Sequence, residues 1–195
     1  VQTGVELCPL PEHVRVVEIP ESLMRSVSQM EAPQGAIFIC RLPEARPAAL
    51  RPGTLLLDGI QDPGNLGTIL RTADALEVPV VLLDGCADAY NPKTVRATMG
   101  AVFRTQPVRM TRAEAVQSCR AAGIPLLATA MSADAVDLRK KNLSGCAVVI
   151  GSEGRGVSAE LFAAADGKII IPMNPRCESL NAAAAATIVL WQMKC

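Results

Sequence analysis

From Gly53 onward the chain alternates apolar runs of four to six residues with longer amphipathic stretches, and that alternation constrains the fold more than any other feature of the sequence. Strands are predicted at Thr54–Asp58, Val80–Leu83, Pro107–Met110, Pro125–Ala130, Cys146–Ile150 and Lys168–Ile171. Helices are predicted at Asn65–Leu76, Pro92–Met99, Arg112–Ala122, Ala159–Ala164 and Ser179–Met193. Strands that are apolar at successive positions, rather than at every second one, need cover on both faces. Their alternation with helices predicts an α/β fold with a mostly parallel sheet and helices on both faces. Ligands of such sheets bind at the carboxyl ends of the strands. Half of the 195 residues are hydrophobic, enough for a sizeable core, but only 3% are aromatic, so that core is built from Val, Leu, Ile and Ala.

Residues 1–50 read differently. A strand is predicted at Val14–Ile19, a helix at Glu21–Ser28 and a strand at Ala36–Arg41; "PEARPAALRPG", with three prolines, then reads as a linker. This piece is too short for a robust core of its own. The chain starts at Val1 in mid-pattern, so a preceding segment is expected, and the division expected is 1–50 and 51–195.

Net charge is zero, which speaks against a protein coated in positive potential but not against a local patch. From Ala89 to Ala113 there are no acids, while Lys93, Arg96, Arg104, Arg109 and Arg112 are basic. A solvated helix face would account for this equally well. The scarcity of Trp, Tyr and Phe leaves little with which to stack bases in the manner of RRM or OB surfaces. Seven cysteines without C-x-x-C spacing and a single histidine, His13, argue against a zinc site and read as reduced thiols. The longest stretch that is almost wholly apolar, Ala182–Trp191, is ten residues with Thr187 inside it, short of the roughly 20 of a spanning helix. A bacterial cytoplasmic protein is the default expectation, with a mitochondrial origin also open.

Three loops carry the chemistry. "DGIQDPGNLGTILR" follows the first strand: Gly59, Pro63, Gly64 and Gly67 permit sharp turns and close approach, Asn65 stands where an N-cap belongs, and Arg71 lies almost two turns into the helix. A cation near a helix start opposes the macrodipole, so Arg71 is expected to serve a partner. A plain cap at Asn65 and an ion pair from Arg71 to Asp58, Asp62 or Asp74 would explain the same residues. "CAVVIGSEGRGVSAELF" repeats the strand–glycine turn–helix pattern around Glu153, with Ser158 as the expected cap; it holds neither G-x-G-x-x-G nor a Walker G-K-[ST]. A carboxylate at that mouth suits a positively charged ligand. "KIIIPMNPRCESLNAAAAA" leaves a strand through Pro172 and Pro175, with Ser179 as the expected cap of the last helix and Asn181 in its first turn. That helix is apolar nearly all round, so it is expected to be buried in the core or against another subunit.

Together the three loops resemble the SpoU (TrmH-like) branch of the SPOUT RNA methyltransferases. "DPGNLGTILRTADAL" is similar to motif 1 of that family, "VIGSEGRGVS" to motif 2 and "IIIPMNPRCESLNAAAAATIVL" to motif 3; "NPKTVRATMGAVFR" is also family-like. The resemblance covers essentially all of residues 50–195, and residues 1–50 look like the end of the RNA substrate-binding domain that often precedes this catalytic domain. It implies a C-terminal trefoil knot, an exception to unthreaded topology, and a homodimer packed through the knot and the last helix. It implies S-adenosylmethionine as cofactor, no metal, and contacts to the cofactor from Gly151, Ile171, Leu180, Met173 and Ala130. Asn65, Arg71, Glu153, Ser179 and Asn181 match the family's polar catalytic positions. The implied reaction moves a methyl group to a ribose 2′-hydroxyl of structured RNA, ribosomal RNA being favoured over transfer RNA.

Family proposals assign the hydroxyl proton to the motif 1 arginine, although a free guanidinium keeps its own proton far above neutral pH. Either Arg71 is deprotonated in a special setting and acts as base, or it stays charged, stabilises the developing alkoxide and clamps a phosphate while a different acceptor takes the proton. Lys93, Arg96, Arg104 and Arg109 are candidates for phosphate contacts. The rival classes are a non-catalytic RNA-binding or ribosome-assembly protein on the same fold and a nucleotide-dependent α/β enzyme.

Overall fold

The computed structural model describes residues 1–43, 50–174 and 176–195. The expected linker therefore lies partly outside the described residues, as does Pro175. The chain divides into two compact units, Val1–Leu42 and Pro43–Cys195.

In the second unit seven strands form one sheet in the order β3-β2-β1-β6-β4-β7-β5, every pairing parallel. They are β1 (Leu55–Asp58), β2 (Val80–Leu82), β3 (Val108–Arg109), β4 (Leu126–Thr129), β5 (Val136–Asp137), β6 (Ala147–Gly151) and β7 (Gly167–Ile170). The helices are α2 (Pro63–Ala75), α3 (Pro92–Ala97), α4 (Ala101–Thr105), α5 (Arg112–Ala122), α6 (Ala159–Ala164) and α7 (Ala182–Gln192), following α1 (Glu21–Val27) of the first unit. The pleat sorts the strand side chains into two cores. Leu55, Leu57, Val148 and Ile150 face α2 and α7, while Leu56, Ala147 and Val149 face α5 and α6. This is why the central strands are apolar at consecutive positions. The three leucines of β1 are fully buried, and each contributes roughly 1.5–3 kcal/mol by leaving water.

Local chemistry sets the helix starts, and at three of them it differs from the sequence reading. Asp62, not Asn65, caps α2: its carboxylate accepts the Asn65 N–H at 2.8 Å, and Pro63 takes the first helical position. Asn181, not Ser179, caps α7, accepting the Ala183 and Ala184 amides at 2.9 and 3.3 Å. Ser158 stands at the cap of α6, but its hydroxyl makes no cap bond. By contrast, α5 has the boundaries expected of it, fixed by a Thr111–Glu114 capping box and by Gly123 in the left-handed region (φ 63). The helix expected to end at Met99 stops at Ala97, because Met99 and Gly100 take positive φ and start the separate α4.

Helix α2 packs on α3 with no room to spare. A Cβ on Gly67 would lie 2.5 Å from the Ala97 Cβ and 2.7 Å from the Thr94 carbonyl oxygen. Gly67→Ala gains about 1 kcal/mol of helix propensity but overpacks a rigid contact at a cost of about 1–3 kcal/mol. With backbone and a Cβ both struck, the upper end of that cost applies and the expected result is a net loss of about 2 kcal/mol, read as a lower urea midpoint with unchanged slope.

The first unit departs from the reading. Its helix is present, but neither Val14–Ile19 nor Ala36–Arg41 forms a strand; one parallel bridge joins Gln2 to Ile19. Strand-like residues become a strand only where a neighbour supplies a hydrogen-bonding edge. Here Val16, Val17, Phe38 and Ile39 stay exposed.

Candidate active site

Because all seven strands are parallel, the loops that follow β1, β4, β6 and β7 emerge on one edge of the sheet. Three of them enclose a cavity of about 450 Å³, within the size range of small-molecule sites. Its walls come from the end of β4 and the loop after it, from β6 and the hairpin that follows, and from β7 and its loop; Phe162 of α6 and Ala182 and Ala185 of α7 complete them. Gly151, Ile171, Leu180, Met173 and Ala130 all line it, as do Glu153 and Ser179.

The loop after β6 is a tight hairpin. Ser152 and Gly156 exchange backbone hydrogen bonds at 3.1 and 2.9 Å. A Cβ on Gly151 would be driven into the carbonyl group of Gly156 and the nitrogen of Val157, so the strand end and the returning loop touch backbone to backbone. Glu153, at the turn of that hairpin, accepts a hydrogen bond from the side-chain amide of Asn65.

Asn65 and Asn181 do not line the cavity, but they join its rim. The Asn181 Nδ2 donates to Asn65 Oδ1 at 3.0 Å, and Asn65 Nδ2 donates to Glu153 Oε1. The orientation of both amides is fixed from one end: the Asn181 Oδ1 is committed to two helix amides, so its NH₂ must donate onward, and Asn65 must present NH₂ to the carboxylate. One chain of polar groups thus ties the starts of α2 and α7 to the loop after β6. The Asn65 N–H, with help from Lys93, also holds the Asp62 carboxyl below the usual carboxylate range.

Arg71 forms none of the ion pairs considered for it. It is exposed on α2, and among the described residues it makes no ion pair and no bond to Asn65 or Glu153. The three acids considered for it are engaged elsewhere: Asp58 by Arg112, Asp62 by Lys93 and Asp74 by Arg104. Six residues along a helix from Asn65, it sits about 9 Å further on and roughly 120° around the axis.

The basic run is also divided. Arg104 is paired to Asp74 and borders a groove with Thr54, Val80 and Val108, at the amino ends of β1, β2 and β3, opposite the cavity. Lys93 lies 3.3 Å from Asp62, and Arg109 lies 3.7 Å from Asp88 while donating to the Ala87 carbonyl. Arg96 is exposed, with no ion pair among the described residues. The sequence reading passed over Arg155, Glu178 and Ser132, which line the cavity, and undervalued Asp58, a lone charge ending an apolar strand.

A parallel sheet with a cavity at its carboxyl edge, rimmed by a committed amide–carboxylate chain, defines an α/β domain built to act on a bound small molecule. Its family follows from comparison: the SpoU rRNA Methylase family matches residues 52–191, and the chain belongs to it. It is 37% identical over 177 residues to the 23S rRNA (guanosine(2553)-2′-O)-methyltransferase RlmP of Bacillus subtilis, covering 90% of this chain and 71% of that one. It is 32% identical over 189 residues to the 23S rRNA (uridine(2479)-2′-O)-methyltransferase of Streptomyces viridochromogenes, covering 91% and 66%. The AdoMet-bound rRNA methyltransferase from Sinorhizobium meliloti superposes with a TM-score of 0.79 at 34% identity, covering 91% and 70%.

Proposed function

We propose that this protein transfers a methyl group from S-adenosylmethionine to a ribose 2′-hydroxyl of structured RNA, ribosomal RNA in the first instance. The observation that carries the reading is the convergence of the loops after β4, β6 and β7 on one cavity whose rim is the Glu153–Asn65–Asn181 chain. Relatives named as ribosomal RNA 2′-O-methyltransferases, one solved with AdoMet, support it.

The cavity fits the cofactor's chemistry. Ile150, Ile169, Ile171 and Leu180 offer apolar surface, Gly151 lines the wall where strand end and hairpin meet, and Glu153 and Glu178 supply negative charge facing a cationic ligand. When bound, S-adenosylmethionine supplies a methyl carbon already activated by its sulfonium, so no metal is required. Gly151, Ala130, Ile171, Met173 and Leu180, which line the cavity, would hold it, and Ser179 would shape the loop beside it. Asn65, Glu153 and Asn181 hold the rim and orient the ribose. Arg71 stays charged, clamps the adjoining phosphate and stabilises the alkoxide as it forms, while an acceptor other than Arg71 takes the hydroxyl proton. Lys93, Arg96 and Arg109 extend the phosphate track.

The reading includes a homodimer and a trefoil-knotted carboxyl end. The sheet side of α7 buries Ala183, Ala186, Val189 and Leu190, while Ile188 and Trp191 remain exposed, Trp191 by 63%. An apolar stripe of that kind on a helix packed beside α2 supports a second copy as its cover. The exposed apolar residues of Val1–Leu42 support a unit that belongs to a larger RNA-binding domain.

Calorimetric titration with S-adenosylmethionine and with ATP tests the reading, followed by tritium transfer from labelled cofactor to 23S rRNA fragments. Heat from the first ligand only, and label lost when the target ribose is 2′-deoxy, are the expected results. RNA affinity without cofactor consumption would instead mark a binding protein on this fold.

A further inference from the structure

Among the described residues Asp58 is the one buried charged side chain, only 2% exposed. It ends β1 in register with Gly151 of β6. Its Oδ1 accepts from Arg112 at 2.8 Å, and its Oδ2 accepts the backbone N–H of Ser158 at 2.7 Å. Arg112 in turn donates to the Asp84 carbonyl at 2.9 Å, while its own N–H donates to the Asp84 carboxylate at 3.1 Å. One buried carboxylate therefore fastens the foot of the hairpin after β6, the start of α5 and the strand from which the first loop departs.

From this geometry we infer that Asp58, held by Arg112, is a positioning residue: it fixes the Ser152–Ser158 hairpin so that Glu153 meets Asn65 and the cavity keeps its wall. The reasoning is one of anchorage. The hairpin is pinned at its upstream end by β6 pairing, and its upstream and downstream limbs are joined by the Ser152–Gly156 bridge. Beyond Gly156, the bond from Ser158 to Asp58 ties it back to the sheet before α6 begins. A charged acceptor with two bonds is stronger than neutral ones, and removing one partner leaves a buried group unpaired. This inference rests on the methyl-transfer reading for its consequence but not for its mechanism.

The test uses the intact chain. Asp58→Asn keeps the shape but can accept only one of its bonds. Arg112→Met removes the partner and Arg112→Lys keeps a single charged donor. In the ligand-free protein, hydrogen exchange at Ser152 and Gly156, whose amides do not touch Asp58, should quicken at least tenfold in the Asn and Met variants and stay within about threefold of wild type in the Lys variant. The same two variants should bind S-adenosylmethionine about tenfold more weakly, and adding Glu153→Gln to Asp58→Asn should cost far less in kcat than the product of the single losses. Unchanged exchange at Ser152 and Gly156 overturns the anchorage. Faster exchange with unaltered affinity and kcat reduces Asp58 to a structural residue and overturns the positioning role. Failure of wild type to bind the cofactor would overturn the methyl-transfer reading and leave the exchange result to decide the anchorage.

Discussion

Replacing Arg71 by alanine should lower methyl transfer by roughly 10²–10³-fold, the scale seen when one preorganised donor to a developing oxyanion is lost, while cofactor affinity stays within about threefold. The expectation follows from what surrounds the side chain. Arg71 is exposed on α2, outside the residues that line the cavity, so its removal takes nothing from the cofactor's walls. Asp58, Asp62 and Asp74, the acids considered as its partners, are bound to Arg112, Lys93 and Arg104. Its charge is therefore available to an anionic partner. Arg71→Lys separates the two roles weighed for it, because a lysine keeps the charge but not the planar two-pronged donor set. A bidentate clamp predicts that lysine restores little; full activity at neutral pH in the lysine variant would argue against the clamp. Single-turnover transfer to RNA, read beside calorimetric affinity for the cofactor, measures both effects. Near-normal turnover in Arg71→Ala would remove this residue from the reaction.

How much of the fold could be read from the sequence depended on whether the signal was local or needed a partner. The central strands were legible because burial on both faces makes them apolar at successive positions; Leu55, Leu56 and Leu57 feed two different cores. Helix α5 was legible because its capping box and its terminal Gly123 are chemical marks in the chain itself. The two-residue β5 left no such mark. Val136 and Asp137 form a strand only because β7 offers its edge. The reverse error arose in residues 14–19 and 36–41, which have β-type side chains but no neighbouring strand to complete a ladder.

The site shows the same division. That the glycine-punctuated loops would gather at one edge followed from parallel pairing, and Gly151, Glu153, Met173 and Leu180 do line one cavity. What could not be read was which side chain holds which. Asn65 and Asp62 are three residues apart and both are good caps; the structure gives the helix to Asp62, freeing the Asn65 amide to join Glu153 and Asn181. Asn181 was placed inside α7 because the alanine run hides the helix start, and Ser179 offered an equally good cap in sequence terms. The basic run from Lys93 to Arg112 looked like one patch, yet it wraps from one end of the sheet to the other. Arg104 goes to the amino edge, and Arg112 turns inward to a buried carboxylate. Charge runs in a sequence carry no information about which acids will take them.

Gly151→Ala should be the most damaging single-methyl substitution in the site. The added carbon meets backbone on the returning hairpin, the carbonyl group of Gly156 and the nitrogen of Val157, rather than the end of a side chain that could swing aside. Nor can β6 retreat, because Gly151 is in register with Asp58 on β1 and the strand is buried through Ala147–Ile150. Overpacking of a core costs about 1–3 kcal/mol when neighbours can adjust, and here the atoms struck are fixed on both sides. The upper end, about 3 kcal/mol, is the expected loss of stability if the hairpin stays shut; if the strain is instead relieved by opening the hairpin, it appears as a fall of roughly 10²-fold in cofactor affinity. The two costs trade against each other: a hairpin that opens spares the fold and forfeits the cavity wall, whereas one that stays shut strains β6 and lowers the urea midpoint. Measuring both in the same variant therefore shows which gives way. A variant that kept wild-type stability and bound S-adenosylmethionine normally would mean that the backbone contact between strand end and hairpin is not what shapes the cavity.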